Sequence, residues 1–505
     1  MTGYAIDGSP AELQGDLPEP PRRGAGGGAG GGDESAEQAA KVVSGLFRRD
    51  SLYVGLWALQ IAGAALVTPV ATRLMGPGQF GLLAVANSTM QVVFTVLGLG
   101  LSVAIPRAFP GAAGNVAARR LLTLAVLGAA VGGTLACTAG SLGARVAGLP
   151  PLSTALQLSL AWAATSAVTV SCMALLKCRD QLGRFAAVGL VQSLGAELVS
   201  VALLGTVTRT ATSFVLGQLL AQVVALGLGL WWCRPARIRR RDSTTLRASL
   251  WFCLPMVPSA LAALLVSLSD RFVIEHALGP AEVARYQIAA NIGTVPVILL
   301  GALSATWLPR LFAVEAPRSQ GVVHASSRDQ LWRLLMPVML GMAAGAPPVL
   351  LVWAPESFRP DELRLVTTVL ALSALPCSGV LSITRALLTV GGTRFVAASG
   401  AVVAALSIGL NLVLVPRFHL MGAALTAVVT QCLLYVVLKA RTRRRMPIPP
   451  PTTGLRLFMA AVVVATLAIG GLPVSGPALG VRAVLALGAL VWLGLTARRV
   501  TRRAP

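Results

Sequence analysis

Polar side chains at helical spacing inside two long apolar segments are the groups of this sequence that could do chemistry. Each series lies on one face of a helix because its members recur every three or four positions. Amide and hydroxyl groups placed there bind a polar solute in a water-filled cavity, or they join neighbouring helices. The spacing favours a cavity wall, and helix packing is the alternative. The first series contains Asn87 and Gln91, and the second contains Gln287, Asn291 and Thr294.

Three ionisable side chains also lie within apolar segments. A cation such as Arg271 could attract a diphosphate, and Asp270 could hold a coupling proton or Na⁺; a local ion pair or an interfacial anchor is the alternative. Adjacent helical residues do not face each other, so we expect each of the two to have another partner. Glu197 shares a face with Ser193 and Ser200 and is a second candidate for a coupling-ion site. A protonated carboxyl bonded to a neighbouring helix is the other interpretation of Glu197.

The composition places these groups in a membrane protein. Of 505 residues, 55% are hydrophobic and 12% are charged, and the mean hydropathy is +0.75. A soluble chain carries about twice that charged fraction, so soluble enzymes are excluded. The chain has seven Cys without a Cys-x-x-Cys pair and three His, which predicts no metal site, no disulfide and no cofactor.

Fourteen stretches are long and apolar enough to cross a bilayer as helices. With the loops taken alternately, 33 of the 42 Lys and Arg fall on one side, 8 on the other, and Arg271 lies inside a span. Basic residues are retained in the cytoplasm, so this asymmetry predicts that both termini are cytoplasmic. The net charge of +23 is therefore explained by topology and does not indicate nucleic acid as a partner.

An internal repeat relates the two halves of the chain. Met75-Gly76-Pro77 precedes the second span, from 80 to 105, and Leu278-Gly279-Pro280 precedes the eighth at an offset of 203 residues. The Pro-Arg pairs that follow these spans, ending at Arg107 and Arg310, have the same offset. Each unit has six spans, so both enter the membrane from the same side. Parallel repeats of this kind are typical of alternating-access transporters whose substrate lies between the halves.

The predicted fold is an all-α integral membrane protein with two parallel six-helix lobes and a C-terminal helix pair. Its five regions differ in composition and span content. They are a disordered cytoplasmic tail (1–49), an N-lobe (50–233), a basic cytoplasmic linker (234–247), a C-lobe (248–440), and a basic loop with the last two spans and a cytoplasmic tail (441–505).

The repeat motifs also carry a family resemblance. The run from Arg73 to Gly81, followed by Gly98-Leu-Gly-Leu101 and Ile105-Pro106-Arg107, resembles the first two spans of polysaccharide biosynthesis flippases. These belong to the multidrug, oligosaccharidyl-lipid and polysaccharide exporter superfamily. The second half is similar over Asp270-Arg271, Leu278-Gly279-Pro280, Tyr286, Leu410-Asn411-Leu412 and Gly422-Ala423-Ala424. It departs at Val283-Ala284, where Phe-Gly or Val-Gly would be expected.

The resemblance implies export of a polyprenyl-diphosphate-linked oligosaccharide from the inner to the outer leaflet of the plasma membrane. It implies membrane lipids, a coupling H⁺ or Na⁺, a polysaccharide polymerase and glycosyltransferases as partners. A diphosphate needs positive charge along its path. We expect this from Arg73 and Arg271 between the lobes and from Arg107 and Arg310 at the cytoplasmic mouth, although Arg73 could instead bind lipid headgroups.

Three other functions compete with this prediction. A flippase for the peptidoglycan lipid precursor and an ion-coupled drug exporter belong to the same superfamily. A membrane glycosyltransferase is disfavoured because the first outer loop is essentially Gly76 to Gln79, and the longest outer segment, around Glu356 to Arg364, is too short to form a domain. No catalytic residue is expected.

Overall fold

The computed structural model describes residues 63–502, with gaps in this range. The positions left out are 64, 99, 110–113, 147–152, 239–246, 248, 252, 254–255, 301–316, 390–392, 446–447 and 474–476. The described residues form helices and short connections. Ten of these helices are long and apolar enough to cross a membrane. The predicted tail, most of the linker and Arg310 lie outside the described residues.

Sixteen of the described α-helices are numbered here in chain order. In the first half they are α1 (Ala65–Leu74), α2 (Pro77–Leu97), α3 (Leu101–Ala108), α4 (Gly114–Val146), α5 (Thr154–Cys178), α6 (Leu182–Leu190), α7 (Ala196–Thr206) and α8 (Ala211–Cys233). In the second half they are α9 (Met256–Leu278), α10 (Pro280–Gly293), α11 (Pro317–Trp353), α12 (Leu363–Leu372), α13 (Ala374–Thr389), α14 (Thr393–Arg445), α15 (Thr453–Gly471) and α16 (Pro477–Arg502).

The two repeated Gly-Pro pairs begin equivalent helices. Pro77 and Pro280 occupy the first turns of α2 and α10, where a proline loses no hydrogen bond and its φ already suits a helix. Gly279 before α10 has φ of 90°, a conformation that glycine adopts without strain. The repeat therefore sets the starts of both helices.

Helix packing divides the described helices into two groups. Helices α2 to α8 pack mainly among themselves, and α9 to α14 form a second set in which α14 packs along α9 and α13. The sets meet where α2 crosses α9 and α10. At this crossing a Cβ on Gly81 would lie 1.6 Å from the carbonyl oxygen of Pro280, so only glycine permits the approach. Buried apolar residues from both sets surround the crossing and form one cluster.

The C-terminal helices α15 and α16 pack against α11. Arg482 of α16 is 1% exposed, and its guanidinium donates to the carbonyl oxygens of Ala343 (2.8 Å), Gly470 (3.4 Å), Pro473 (3.2 Å) and Leu472. A charged side chain in an apolar setting needs such acceptors. This arginine therefore ties the C-terminal pair to the rest of the bundle.

Several predicted spans are interrupted. The span predicted from 80 to 105 ends as α2 at Leu97 and resumes as α3, because Gly100 adopts φ of 65°. Ser373 separates α12 from α13 within another predicted span. The predicted boundary between the eleventh and twelfth spans is present inside α14 as a non-helical residue, His419, with φ of 52°. The total of fourteen spans stays a prediction, since five expected spans include residues that the structure leaves undescribed.

Candidate functional site

A cavity of about 340 Å³ lies where the two helix sets meet. Its described lining comes from α1, α2, α5, α8 and the α6–α7 segment on one side and from α10 on the other. Polar and aromatic members share this lining with small apolar side chains. The polar and aromatic lining residues are Thr68, Phe80, Asn87, Trp162, Gln192, Ser193, Glu197, Phe214, Gln218, Gln287 and Asn291.

A π-helical turn brings three polar residues to this cavity. Helices α6 and α7 are joined without a break by Val191–Gly195, which has π geometry. The wider turn carries Gln192 and Ser193, and Glu197 follows in the first turn of α7. The Gln218 amide on α8 interacts with the Glu197 carboxyl. Because π-turns occur frequently at functional sites, the geometry supports Glu197 as part of the site.

Two amide oxygens at the cavity are buried without a hydrogen-bond partner. They are Oδ1 of Asn87 on α2 and Oε1 of Gln192 on the π-turn. Buried polar atoms are almost always paired, so an unpaired acceptor beside a cavity indicates a place for water or a ligand donor. Both atoms can accept a hydrogen bond from a hydroxyl group.

On the α10 side, a hydrogen-bonded chain leads from the cavity to an ion pair. Nε2 of Gln287 donates to Oδ1 of Asn291 at 2.6 Å, and Nε of Arg271 donates to Oε1 of Gln287 at 2.7 Å. Nη1 of Arg271 lies 2.9 Å from Oδ1 of Asp270, and the Tyr286 hydroxyl donates to Oδ2 of Asp270 at 2.5 Å. Both charged side chains are nearly buried, at 13% and 14% exposure.

Of the two interpretations that the sequence left open for Asp270 and Arg271, the structure shows the local ion pair. The long arginine side chain folds back, so that its guanidinium reaches the preceding carboxylate, which also accepts from the backbone N–H of Arg271 at 2.9 Å. The expected further partners are also present, because Tyr286 contacts Asp270 and Gln287 contacts Arg271.

The remaining predicted residues lie apart from the cavity lining. Gln91 is exposed one turn beyond Asn87, and Oγ1 of Thr294 donates to the carbonyl of its own helix at Ala290 (2.6 Å). Nη2 of Arg73 donates to the carbonyl oxygen of Val352 (3.3 Å), near the end of α11. Arg107 is exposed at the end of α3. Of the predicted residues that the structure describes, Asn87, Glu197, Gln287 and Asn291 thus line one cavity, and Arg271 contacts it through Gln287.

Four residues at or beside the cavity were not among the site residues predicted from the sequence. Gln192 and Gln218 stand in apolar spans and are polar, which was a usable signal, but the π-turn that aims Gln192 has no local signature. Trp162 was not predicted because tryptophan is common at membrane interfaces, so its residue type alone does not indicate a binding site. Tyr286, which is 1% exposed, closes the Asp270 network from the residue before Gln287.

The lining suits a neutral polyhydroxylated group. Amides donate and accept hydrogen bonds, as sugar hydroxyls do, and Trp162 offers a flat apolar face. Glu197 is the charged residue in the part of the lining that the structure describes. Arg271 is the cation that contacts this lining through Gln287, and Asp270 neutralises its charge.

Beside the cavity, the two helix sets are sealed by an aromatic contact, and ion pairs within the second set lie behind it. Phe80 of α2 meets Phe358, in the loop between α11 and α12, edge to face with ring centroids 5.9 Å apart. Behind this pair, buried Arg285 binds Glu282 at 2.6 Å and Glu362 at 3.0 Å. The cavity is therefore closed off at the end where α2 and α10 begin.

Solved structures share this fold. One is described as "Lipid II flippase MurJ, inward closed conformation"; its TM-score is 0.65 at 10% identity, covering 89% of this chain and 99% of the other. An inward-facing multidrug resistance MATE family transporter of the MOP superfamily gives 0.54 at 14% identity, covering 80% and 95%. A MOP superfamily transporter from Pyrococcus furiosus gives 0.54 at 14% identity, covering 81% and 94%. The molecule is thus a multi-pass membrane protein with the fold of MurJ and MATE transporters.

The sequence itself identifies the family. Residues 47–315, more than half of the chain, match the family described as "Polysaccharide biosynthesis protein". The chain belongs to this family, as the repeat motifs predicted. No curated protein matches the sequence.

Proposed function

We propose that this protein is an alternating-access flippase that moves a polyprenyl-diphosphate-linked oligosaccharide from the inner to the outer leaflet for cell-surface polysaccharide synthesis. The observation that carries the proposal is the polar cavity between the two helix sets, with buried amide acceptors of Asn87 and Gln192 that have no partner. Membership of the polysaccharide biosynthesis family supports the substrate class. The role is transport, without a catalytic residue.

In this proposal the sugar and the diphosphate contact different groups. The sugar hydroxyls bind the amides of Asn87, Gln192, Gln287 and Asn291, which line the cavity. The diphosphate needs a cation, and Arg271 supplies it from beside the cavity through its contact with Gln287. Glu197 and Asp270 are the proposed sites for a coupling proton or Na⁺.

The remaining residues have proposed roles at the ends of the path. Arg107 and Arg310 attract the diphosphate at the cytoplasmic mouth, and Arg73 contributes near the outer end. These roles assume the predicted two lobes, 50–233 and 248–440, with both termini in the cytoplasm. The distribution of basic residues supports this orientation.

A flippase for the peptidoglycan lipid precursor is the second candidate. One observation favours it, namely the TM-score of 0.65 over 89% of this chain with the structure described as a lipid II flippase. Both substrates are sugars on a polyprenyl diphosphate, so the same residues would serve either. The identity of the sugar separates the two candidates.

A flipping assay in reconstituted vesicles tests the proposal. Purified protein is incorporated with a fluorescent polyprenyl-diphosphate oligosaccharide, and the fraction reaching the other leaflet is measured by an impermeant quencher. The substitution Asn87→Leu removes a cavity amide and should reduce the initial rate by about 5- to 12-fold, because one good hydrogen-bonding group contributes roughly 1 to 1.5 kcal/mol. A parallel assay with the peptidoglycan precursor distinguishes the second candidate.

Asn411→Leu is the matched control. Asn411 on α14 is also buried, at 1% exposed, and its Oδ1 also has no partner, but it does not line the cavity. The Asn411→Leu variant should flip the substrate at the native rate when equal amounts of folded protein are compared. If native protein moves neither substrate, or if both variants lose activity equally, the proposal is wrong.

A further inference from the structure

A second cavity, of about 280 Å³, lies where α11, α13, α14 and the start of α15 meet. It shares no lining residue with the first cavity. It is unusual for its concentration of positive charge. Its described lining consists of His324, Arg328, Ser382, Ile383, Tyr435, Lys439, Thr442, Arg443, Ile448, Pro450 and Arg456. Four of these are Lys or Arg, and they are close enough that Arg328, Arg443 and Arg456 all act electrostatically on Lys439.

The floor of this basic pocket is buried and incompletely paired. His324 is 2% exposed and Arg328 is 4% exposed; Nδ1 of His324 has no hydrogen-bond partner. Arg385, 5% exposed and next to His324, leaves Nη1 and Nη2 without partners. Asp329 is the acidic group in contact, and it binds Arg328 at 2.8 Å. The pocket therefore holds buried donors and a large excess of positive charge.

Buried donors and cations without acceptors are strongly unfavourable unless an anion completes the site. A phosphate group matches this need, because its several oxygens accept charge-assisted hydrogen bonds from many donors at once. Arginine from different helices can converge on such oxygens, as Arg328 and Arg456 do here from α11 and α15.

The surroundings of the pocket favour a phosphate carried by a lipid. Val436 and Leu457 adjoin the lining residues Tyr435 and Arg456 in sequence, and they are 58% and 68% exposed. Exposed apolar side chains on these helices offer a surface for acyl chains beside the charged pocket. Basic pockets between membrane helices bind anionic headgroups in this way on the cytoplasmic side. The basic segment that contains Arg443 is predicted to lie on that side.

We propose that this basic pocket is a binding site for a phosphate group, supplied by the headgroup of an anionic phospholipid and separate from the transport cavity. The bound phosphate bridges α11, α14 and α15 and so joins the C-terminal pair to the second helix set. The rim residues Lys439, Arg443 and Arg456 are exposed and capture the headgroup, while Arg328 and His324 complete its coordination. Arg385 adds positive charge beside His324.

Native mass spectrometry of the full-length protein in detergent tests the site. The protein is titrated with phosphatidylglycerol, with phosphatidylcholine, and with inorganic phosphate as the free-phosphate probe. Each rim cation contributes about fivefold to the affinity for an anionic lipid, so Lys439→Gln/Arg456→Gln should weaken phosphatidylglycerol binding by about 25-fold. Both substitutions are at exposed positions, so the fold should survive.

The control variant is Arg209→Gln/Arg417→Gln, which removes the same charge from exposed positions outside the pocket. It should bind phosphatidylglycerol as the native protein does. Saturation by inorganic phosphate, lost in the rim variant, would support the phosphate site and identify a free anion as its occupant. Equal binding by the rim and control variants, or preference for phosphatidylcholine, would overturn the proposal.

Discussion

From the close crossing of α2 and α10 at Gly81, we predict that a larger residue at this position opens the sealed end of the cavity. In Gly81→Ala the new Cβ would lie 1.6 Å from the Pro280 carbonyl oxygen, whereas real Cβ contacts are longer than 3.0 Å. The atom in contact is backbone, so no side chain can rotate away, and the two helices must separate by more than 1 Å. Overpacking of this kind costs about 1 to 3 kcal/mol. The sealed arrangement should therefore lose about 5- to 150-fold in population relative to one open at this end.

Gly78→Ala is the matched control, because it is on the same helix and its Cβ would meet nothing within 4 Å. The assay places one cysteine in each helix set at the sealed end, in a background without native cysteines, and measures spin-label distances and the thermal unfolding midpoint. Gly81→Ala should broaden the distance distribution toward longer values or lower the midpoint. If it behaves as Gly78→Ala does in both measurements, the close crossing does not exist and the seal is assigned wrongly.

The remaining predictions concern charge and topology. Arg271→Ala alone should destabilise the protein by about 3 to 5 kcal/mol, because Asp270 is left buried and unpaired. The double variant Asp270→Asn/Arg271→Gln, which removes both charges, should fold normally but lose export in the vesicle assay; native export by it would exclude Arg271 from transport. Arg482→Ala should lower the unfolding free energy by roughly 3 kcal/mol, since several carbonyls lose a charged donor, whereas exposed Arg417→Ala should change it little; equal unfolding midpoints would contradict this anchor. An impermeant thiol reagent should label Glu356→Cys from outside and Arg237→Cys only after permeabilisation, and the reverse pattern would invert the proposed orientation.

The sequence predicts those features of the fold that depend on local chemistry. The Gly-Pro pairs at Gly76 and Gly279 begin equivalent helices because proline suits a first turn wherever the helix is packed. The polar faces of Asn87 and Gln287 reach one cavity because an uncompensated amide within an apolar bundle is costly. Family membership was also within reach, since the repeated motifs carry it.

The sequence does not predict features that depend on how helices cross. Gln91 continues the face of Asn87, yet it is exposed, because the described cavity lining on α2 extends from Phe80 to Asn87 and no further. The π-turn that aims Gln192 and the folded-back side chain of Arg271 arise from tertiary contacts. The basic pocket was likewise invisible, because Arg328 and Arg456 are distant in sequence and converge only when α15 packs on α11.

The Asp270–Arg271 pair gives the proposed transport cycle a physical means of coupling. A diphosphate can compete for Arg271 only if its present partner is weakened, because a bare buried carboxylate would be unfavourable. Tyr286 donates to the other carboxylate oxygen at 2.5 Å and Gln287 contacts the guanidinium, so each side chain keeps a partner if the ion pair opens. In the proposed cycle, neutralising Asp270 and capturing an anion at Arg271 would then favour each other. Asp270→Asn, which removes the competing carboxylate charge, should therefore retain export in the vesicle assay, and loss of export by this variant in the folded state would exclude the coupling.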